Sequence, residues 1–247
     1  MTTRAEILVI GNEILSGKVE DEHSGFLCRE FRSLGVDVRR IVILPDEVES
    51  IAEAVRQSWG RSDLIVCTGG IGPTHDDVTI AGVAKGLGCP VVRNPDLESI
   101  VSKLYDDNPP EAVWRLAEVP EGADLIVADG LRVPVVRVGK LYLFPGVPEI
   151  FRRKFDAIKT RFREAPFFLK KIYLMIGEEQ IAGTLDDAAK KYPELLLGSY
   201  PTVNRPDYRV LLTLESKNAA VVEEAYRDLL SSLPCDAVVP FEEYRTT

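Results

Sequence analysis

The sequence predicts an α/β fold: a mainly parallel sheet with helices on both faces, three layers in all, followed by a small α+β domain. Two observations lead to this fold class. Short apolar runs alternate with amphipathic helical stripes, which is typical of right-handed βαβ units in a parallel sheet. After an interruption at residues 164–166 the order changes to β-α-β-β-α-β, a split βαβ unit. The predicted domains are residues 1–165 and 166–247.

In the first domain, short apolar runs predict strands, and apolar residues three or four apart predict helices. Gly35 ends one helical stripe, and Pro148 suits the first position of another, where a missing N–H costs nothing. The predicted elements, in chain order, are strand 5–10, helix 26–34, strand 36–43 with a slip in its alternation, helix 48–59, strand 64–67, helix 97–104, a β-hairpin of 133–138 and 141–144, and helix 148–162.

The second domain is predicted as a two-layer unit of roughly 75–80 residues, small but within the range of autonomous domains. Its elements are predicted as strand 170–176, helix 178–191, strand 195–200, strand 208–215, helix 219–230 and strand 237–239.

Composition excludes several classes of protein. The chain has 247 residues, 45% of them hydrophobic, and a net charge of −9, which argues against a disordered chain and a non-specific nucleic-acid binder. No apolar run reaches the ~18 residues of a membrane-spanning helix, and the N-terminus lacks the features of an export signal. Four cysteines without a CxxC pair, and two histidines, give almost no support for structural zinc. We therefore expect a cytoplasmic protein with no nucleic-acid or membrane partner.

Three polar or glycine-rich turns follow predicted strands. They are Gly11-Asn12-Glu13, residues 68–77 and residues 145–149. In an open α/β sheet, ligands bind outside the carboxyl ends of the strands. The sequence therefore predicts a ligand site at these three turns.

The central turn predicts a phosphate cradle. Gly69, Gly70 and Gly72 lack Cβ atoms, so backbone N–H groups can surround an anion. The next helix is expected to start near Asp76, so its positive end would point at the same place. The motif lacks the terminal Lys-Ser/Thr of a P-loop and the GxGxxG spacing of a dinucleotide fingerprint.

Asp76 and Asp77 bring two negative charges to this turn, beside the hydroxyls of Thr68 and Thr74. They would repel a phosphate unless a divalent cation bridges them, and Mg²⁺, Mn²⁺ or Co²⁺ takes such oxygen ligands. The alternative is ordinary helix capping, in which Asp76 is an N-cap and Asp77 complements the helix dipole.

At these residues the sequence resembles the molybdopterin-binding-like family that contains MoaB, MogA and the N-terminal part of CinA. It is closest in pattern to the corresponding domain of eukaryotic FAD synthase. The stretches that carry the resemblance span essentially the whole chain: GNEILSG at 11–17, FLCREFRSLGVDV at 26–38, TGGIGPTHDDVT at 68–79, FPGVPE at 144–149 and LGSYP at 197–201.

The resemblance implies two functions. MoaB and MogA relatives bind molybdopterin, and the MogA branch adenylylates it, whereas the CinA branch looks like a metal-dependent pyrophosphatase acting on ADP-ribose, and FAD-synthase relatives cleave FAD. MoaB and MogA relatives have a single domain, so the added small domain favours pyrophosphate hydrolysis, with release of AMP. The alternatives are a non-catalytic molybdopterin or nucleotide binder of molybdenum cofactor metabolism, and a scaffold with a vestigial pocket. Relatives form homodimers or homotrimers, so we expect a homo-oligomer.

In the predicted mechanism, Asp76 and Asp77 hold one or two divalent cations that lower the pKa of a bound water. Glu13 is a further metal ligand or the base that takes the proton of this water, unless it only caps its helix. His75 is a general acid for the leaving phosphate, or a loop histidine exposed to solvent. The residues predicted to bind phosphate or substrate are Gly11, Ser16, Asp21, Thr68, Gly69, Gly70, Gly72, Thr74, Gly146 and Glu149.

Several positions have a structural and a functional interpretation. Glu149 closes the pocket or only complements the dipole of its helix. Trp114 and Arg115 stack on a base or pair with a phosphate, although an aromatic on a helical stripe usually belongs to the core. His23 stands where relatives usually carry Asn, in a stretch that we expect to face the pocket and to influence substrate preference.

Overall fold

The computed structural model describes residues 2–105, 108–203, 205–234 and 236–239. They divide after Glu164 into two compact units. No helix of these residues is long and apolar enough to cross a membrane.

The strands of the first unit form two sheets. In chain order they are β1 (Arg4–Ile10), β2 (Asp37–Leu44), β3 (Leu64–Thr68), β4 (Val91–Arg93), β5 (Glu118–Pro120), β6 (Asp124–Ile126), β7 (Val135–Val138) and β8 (Leu141–Phe144). The larger sheet has the order β2-β1-β3-β8-β7-β6, whereas β4 and β5 pair separately. Strands β2, β1, β3 and β8 run parallel, and β7 and β6 continue the sheet antiparallel. The predicted mainly parallel sheet and its hairpin are confirmed.

The described residues of the first unit also form six α-helices and two 3₁₀ segments. They are α1 (Asn12–Leu15), α2 (Glu22–Ser33), α3 (Val48–Arg61), α4 (Thr79–Leu87), α5 (Pro95–Leu104) and α6 (Pro148–Ile158), with 3₁₀ segments Glu111–Ala117 and Lys159–Phe162.

The helices form a layer on each face of the sheet. Alternate residues of a strand point to opposite faces, so Ile7 packs with the α2 and α6 side chains, and its neighbour Leu8 packs with those of α3 and α4. Both faces of β1 are therefore buried, and the three-layer prediction is confirmed. Burying each large apolar side chain contributes about 1.5–3 kcal/mol.

Local sequence explains how α5 begins. The side chain of Asn94 accepts hydrogen bonds from the amides of Asp96 and Leu97, and Pro95 occupies the first helical position of α5.

Strand β2 contains a bulge where it pairs with β1. Ala5 pairs with Val38 but Glu6 pairs with Arg40, so one residue of β2 bulges out of register. This bulge is the slip that the sequence predicts.

In the second unit, the residues that the structure describes form one antiparallel sheet and two α-helices. Its elements are β9 (Phe168–Leu174), 3₁₀ segment Glu178–Gln180, α7 (Ala182–Lys191), β10 (Leu196–Pro201), β11 (Val210–Ser216) and α8 (Ala219–Ser232). The strand order is β10-β11-β9, and an apolar core lies between this sheet and the helices. Instead of the last predicted strand, one isolated bridge joins Leu174 and Val238. Cys235 lies outside the described residues.

Two predictions about this unit and its neighbour need correction. The helix predicted over 178–191 is interrupted, because Glu178–Gln180 is a 3₁₀ turn and the carboxylate of Glu178 accepts a hydrogen bond from the hydroxyl of Ser199. The three-residue strands β4, β5 and β6 are absent from the prediction, because a segment this short carries no measurable periodicity.

Candidate functional site

Three turns meet at one edge of the larger sheet. They follow the carboxyl ends of β1, β3 and β8, which are adjacent parallel strands. Parts of all three turns line one cavity of about 690 Å³. This is the place where ligands bind in open α/β sheets.

The first turn positions Glu13. Gly11 precedes the single turn of α1, and a Cβ on Gly11 would lie 2.5 Å from the Glu13 carboxylate, which folds back over this glycine. The Asn12 amide donates to Asp46 at 2.7 Å and so ties the turn to the end of β2. The Ser16 hydroxyl donates to the Glu13 carbonyl at 3.2 Å. Of this turn, Glu13 lines the cavity, and Gly11 and Ser16 do not.

The glycines of the central turn allow a close approach to β1. Gly69 has φ +95°, and a Cβ there would lie 2.1 Å from the Ile10 carbonyl oxygen. Gly70 has φ +62°, and a Cβ there would lie 2.4 Å from the Thr79 hydroxyl oxygen. Any other residue would be strained at both positions. The turn therefore needs glycine for its path as well as for access to a ligand.

Two of the three predicted cradle amides are free. The Gly69 amide donates to the Phe144 carbonyl at 3.1 Å, which corrects its predicted role as an anion ligand. The amides of Gly70 and Gly72 donate to no group in the described part of the chain. They line the cavity and remain available to an anionic ligand.

Thr79 holds the central turn from its far side. This buried residue is the first of α4, and its hydroxyl donates to the Gly69 carbonyl at 2.8 Å while its amide donates to the Gly70 carbonyl at 2.9 Å. Sequence reasoning missed this role, although Thr79 ends the quoted stretch TGGIGPTHDDVT.

Thr68 and His23 are structural neighbours of the site. The buried hydroxyl of Thr68 lies 2.8 Å from His23 Nδ1 and donates to the Pro145 carbonyl at 3.1 Å, so it joins the second and third turns. The His23 ring stacks on Phe151 with 4.2 Å between ring centroids, and burial lowers the pKa of this histidine. Its Nε2 has no partner among the described groups.

The stretch from Asp21 to His23 does not line the cavity, which corrects our expectation that it faces the pocket. The Asp21 side chain instead caps α2, accepting hydrogen bonds from the amides of His23 and Ser24.

The helix after the central turn starts later than predicted, at Thr79 and not near Asp76. At that start the Thr79 amide donates to the Gly70 carbonyl, which anchors the helix to the central turn. In the residues between them, the Asp77 carboxylate accepts hydrogen bonds from the Thr74 amide at 2.8 Å and the Thr74 hydroxyl at 2.6 Å. Asp77 lines the cavity, whereas Asp76 and Thr74 do not.

Two carboxylates share one hydroxyl in this turn. The Thr74 hydroxyl oxygen lies 2.6 Å from an oxygen of Asp76 and 2.6 Å from an oxygen of Asp77, and it carries a single hydrogen. The hydrogen bond from Thr74 lowers the pKa of Asp76. Charged oxygens gathered around one hydroxyl are the donor set of a hard divalent cation.

No cluster of three or more His, Cys, Asp or Glu side chains suited to a metal occurs in the described ranges. Mg²⁺ is commonly held by one or two carboxylates plus substrate phosphates and water, so the residues present fit a cation that is shared with a ligand.

His75 and Glu149 lie outside the cavity. The His75 side chain is 96% exposed, and its Nδ1 lies 3.8 Å from Asp76. Glu149 occupies the first turn of α6, where a carboxylate complements the helix dipole. The geometry therefore favours the structural interpretation of Glu149 and the solvent-exposed interpretation of His75.

The third turn lines the cavity beside the central one. A Cβ on Gly146 would lie 3.4 Å from the Gly69 Cα, an ordinary contact, so the two turns touch without requiring glycine at 146. The residues of this turn that line the cavity are Pro145, Gly146, Val147 and Pro148.

The remaining wall is mostly aliphatic. Its side chains come from α4, α5, α6, the 3₁₀ segment Glu111–Ala117 and the β7–β8 hairpin with the residues before it: Ile80, Leu97, Val101, Leu104, Leu116, Val133, Val136, Leu143 and Ile150. Arg115 also lines the cavity and donates to the Thr74 carbonyl at 2.8 Å. Trp114 does not, and packs against the α5 core instead.

Lys154 and Glu118 are the charged lining residues that sequence reasoning missed. Lys154 is the one on a helix of the buried layer. It stands between Phe151 and Ile158 on the buried face of α6. A lysine inside an apolar helical stripe is a readable signal in the sequence.

Only some of the predicted site residues therefore line the cavity. Those that line it are Glu13, Gly69, Gly70, Gly72, Asp77 and Gly146; those that do not are Gly11, Ser16, Asp21, Thr68, Thr74, His75, Asp76 and Glu149.

Comparison with known protein families gives two matches. Residues 6–164 match the model described as "Probable molybdopterin binding domain", and residues 166–242 match "FAD synthase, middle domain".

Similar proteins come from archaea, bacteria and animals. A protein of Archaeoglobus fulgidus is 30% identical over 221 residues, covering 90% of this chain and 94% of its own. A "Probable FAD synthase" of Caenorhabditis briggsae is 30% identical over 273 residues, covering 98% of this chain and 52% of its own. A "CinA-like protein" of Frankia casuarinae is 34% identical over 158 residues, covering 59% of this chain and 36% of its own. This chain thus spans about half of the FAD synthase.

Among solved structures, the crystal structure of CinA from Thermoplasma acidophilum matches with a TM-score of 0.60 and 28% identity. The match covers 65% of this chain and 98% of that chain.

Proposed function

This chain belongs to the family of molybdopterin binding domains, and from that premise we propose that it is a metal-dependent hydrolase of pyrophosphate bonds. Its substrate is a nucleotide-linked pyrophosphate, ADP-ribose or FAD, from which it releases AMP.

The observation that supports this proposal best is the convergence of three turns on one cavity of about 690 Å³. The free amides of Gly70 and Gly72 and the carboxylate of Asp77 line the same space. Free backbone amides bind phosphate, and a carboxylate beside a phosphate calls for a cation between them. The aliphatic wall opposite is suited to the apolar faces of a base or a flavin.

The relatives add support for a nucleotide substrate. One is named as a probable FAD synthase, and the second unit matches the middle domain of such enzymes. FAD and ADP-ribose both contain the P–O–P bridge that the reaction would break.

In the proposed reaction, water adds across the P–O–P bridge, one bridging P–O bond breaks, and the products are AMP and a second phosphate monoester. The amides of Gly70 and Gly72 orient the phosphate and stabilise charge on its oxygens. Asp77 and Asp76, with the Thr74 hydroxyl between them, would hold the cation. When bound, the cation neutralises phosphate charge and lowers the pKa of a water. Glu13 lines the same cavity and takes a proton from the attacking water.

A second candidate is a non-catalytic binder of molybdopterin or a nucleotide. The exposure of His75, 96% of its side chain, favours it, because the proposed general acid then has no contact with the cavity. This candidate predicts binding without turnover and little dependence on metal.

The test is product analysis after incubation with ADP-ribose or FAD, each with Mg²⁺, Mn²⁺ or Co²⁺ and with chelator. We expect release of AMP that needs metal and that chelator abolishes. The absence of AMP from both substrates in every metal would contradict the hydrolase proposal, and calorimetry with pterin and nucleotide ligands would then test the binder.

A further inference from the structure

Lys154 carries a positive charge into the interior of the first unit. Its side chain is on the buried face of α6, is only 8% exposed, and lines the cavity of the candidate site. Its Nζ donates to the Pro134 carbonyl at 2.8 Å, and this is its one hydrogen-bond partner among the described residues. An ammonium group has three hydrogens to donate, so two of them have no acceptor within the part of the chain that the structure describes.

A second lysine shows what a purely structural role looks like in the same fold. Lys140 donates to two carbonyls, those of Trp59 and Ser62, each at 2.6 Å, and its ammonium lies 5.1 Å from the centroid of the Trp59 ring. Lys154 has neither a second acceptor nor a ring contact in the described structure. The Lys154 ammonium therefore has fewer partners than the Lys140 ammonium.

No carboxylate neutralises Lys154. No ion pair within the described ranges involves it, and the neighbouring charge that acts on it is that of Arg153, which is also positive. The other charged side chains that line the cavity are Glu13, Asp77, Arg115 and Glu118. Burial of an unpaired charge is costly unless a partner compensates it, and here the open side of the ammonium is the cavity.

We propose that Lys154 is a substrate-binding residue that contacts a negatively charged phosphate oxygen of the ligand. The inference rests on the proposed function and adds to it a side-chain contact to the pyrophosphate, in addition to the amides of Gly70 and Gly72. A lysine at this place would make the cavity selective for ligands with negatively charged phosphate groups, and so for nucleotides over nucleosides. The lowering of the Lys154 pKa to about 8 by burial agrees with this position and leaves the group mostly charged at neutral pH.

The experiment measures binding, by calorimetry in Mg²⁺, with ADP-ribose and ADP in their methylene-bridged forms so that no turnover occurs. The ligands are ADP-ribose, ADP, AMP and adenosine, which differ in phosphate content. The variants are Lys154→Met, which keeps the length and removes the charge, and Arg153→Met, which removes an exposed charge one position away. We expect Lys154→Met to bind ADP-ribose and ADP at least tenfold more weakly and adenosine within twofold of the unaltered protein. Arg153→Met should leave all four affinities within twofold.

A pH series provides a readout that does not depend on how Lys154→Met folds. Between about pH 7 and about pH 9, ADP-ribose gains no charge on its pyrophosphate, while a lysine with a pKa of about 8 loses its proton. We expect the affinity of the unaltered protein for ADP-ribose to fall over this range, and the affinity of Lys154→Arg to stay constant, because arginine remains charged.

Three results would overturn the inference. The first is that Lys154→Met leaves the affinity for ADP-ribose unchanged. The second is that Lys154→Met weakens adenosine binding as much as ADP-ribose binding, which would place Lys154 against the base. The third is that the unaltered protein does not bind ADP-ribose. Binding that depends on Lys154 without any AMP release would contradict only the hydrolase proposal. AMP release with unchanged affinity in Lys154→Met would contradict only this inference.

Discussion

The carboxylate of Asp77 accepts two hydrogen bonds from one residue, Thr74: one from its amide at 2.8 Å and one from its hydroxyl at 2.6 Å. This pairing makes the loop before α4 a closed turn and directs a negative charge into the cavity. The shape of the loop and the charge of the site thus depend on the same side chain.

The substitution Asp77→Asn separates these two roles. An asparagine oxygen can still accept the hydrogen bonds from Thr74, so we expect the fold and its unfolding midpoint to be nearly unchanged. Without the negative charge, release of AMP should fall at least about 100-fold, the size of effect seen when one group that stabilises the transition state is lost. AMP release and urea unfolding are measured together. Asp187→Asn, on an exposed residue of α7, is the matched control. Undiminished AMP release by Asp77→Asn would exclude Asp77 as a cation ligand.

The close contact of Gly70 with Thr79 predicts a stability difference between two glycines with the same backbone strain. Gly70 has φ +62° and Gly17 has φ +69°, but a Cβ on Gly70 would lie 2.4 Å from the Thr79 hydroxyl oxygen, whereas nothing lies within 4 Å of one on Gly17. Gly17→Ala should cost about 1 kcal/mol of unfolding free energy for left-handed strain alone. Gly70→Ala should cost clearly more, about 3 kcal/mol, because the clash is added. Equal losses in urea unfolding would mean that the turn relaxes around the new methyl group.

Because His23 is buried, we expect the protein to lose stability in acid. Burial lowers its pKa in the folded state, so the unfolded chain binds more protons below the ordinary value near 6.5, and stability falls as the pH drops through that value. His23→Asn should reduce the part of the acid destabilisation that begins near pH 6.5. The control is His75→Asn, on a histidine that is 96% exposed, which should behave like the unaltered protein. The measurement is the urea midpoint at several pH values, and identical profiles for the two variants would contradict the prediction.

Lys154→Met should stabilise the protein while it weakens phosphate binding. A pKa lowered by burial from 10.5 to about 8 corresponds to a cost of charging of about 3 kcal/mol. The lost hydrogen bond to the Pro134 carbonyl offsets about 1 kcal/mol of this gain. The cost is fully present below pH 8 and decreases as the pH rises from 8 towards 10.5, so the variant's advantage should be about 2 kcal/mol at pH 7 and smaller at pH 9. Urea unfolding at both pH values checks this, and a destabilised variant at pH 7 would indicate that Lys154 is mainly a structural support.

The sequence was sufficient for the elements that have a long, regular pattern. Strand β1 could be predicted from its short apolar run, and α6 from Phe151, Phe155 and Ile158 at helical spacing. The meeting of the three turns also follows from sequence, because parallel strands place their carboxyl ends at one edge.

The features that could not be predicted depend on individual side-chain contacts. The start of α4 at Thr79 goes with the two hydrogen bonds from Thr79 to the Gly69 and Gly70 carbonyls, which residue types alone do not predict. The hydrogen bond from the Gly69 amide to the Phe144 carbonyl depends on how β3 pairs with β8. His75 and Asp76 are within two positions of Asp77 in sequence, but neither lines the cavity that Asp77 lines.

The glycine-rich turn is, physically, an extension of the sheet. Its first amide continues the hydrogen bonding of β3 to β8, and Thr79 holds its next two carbonyls from the start of α4. Opening the turn would break bonds that belong to the most buried part of the fold, so hydrogen exchange at Gly69 should be as slow as exchange in the core strands. In this protein the glycines bring the backbone close to its neighbours instead of making it flexible, and a ligand would meet a surface that is already ordered.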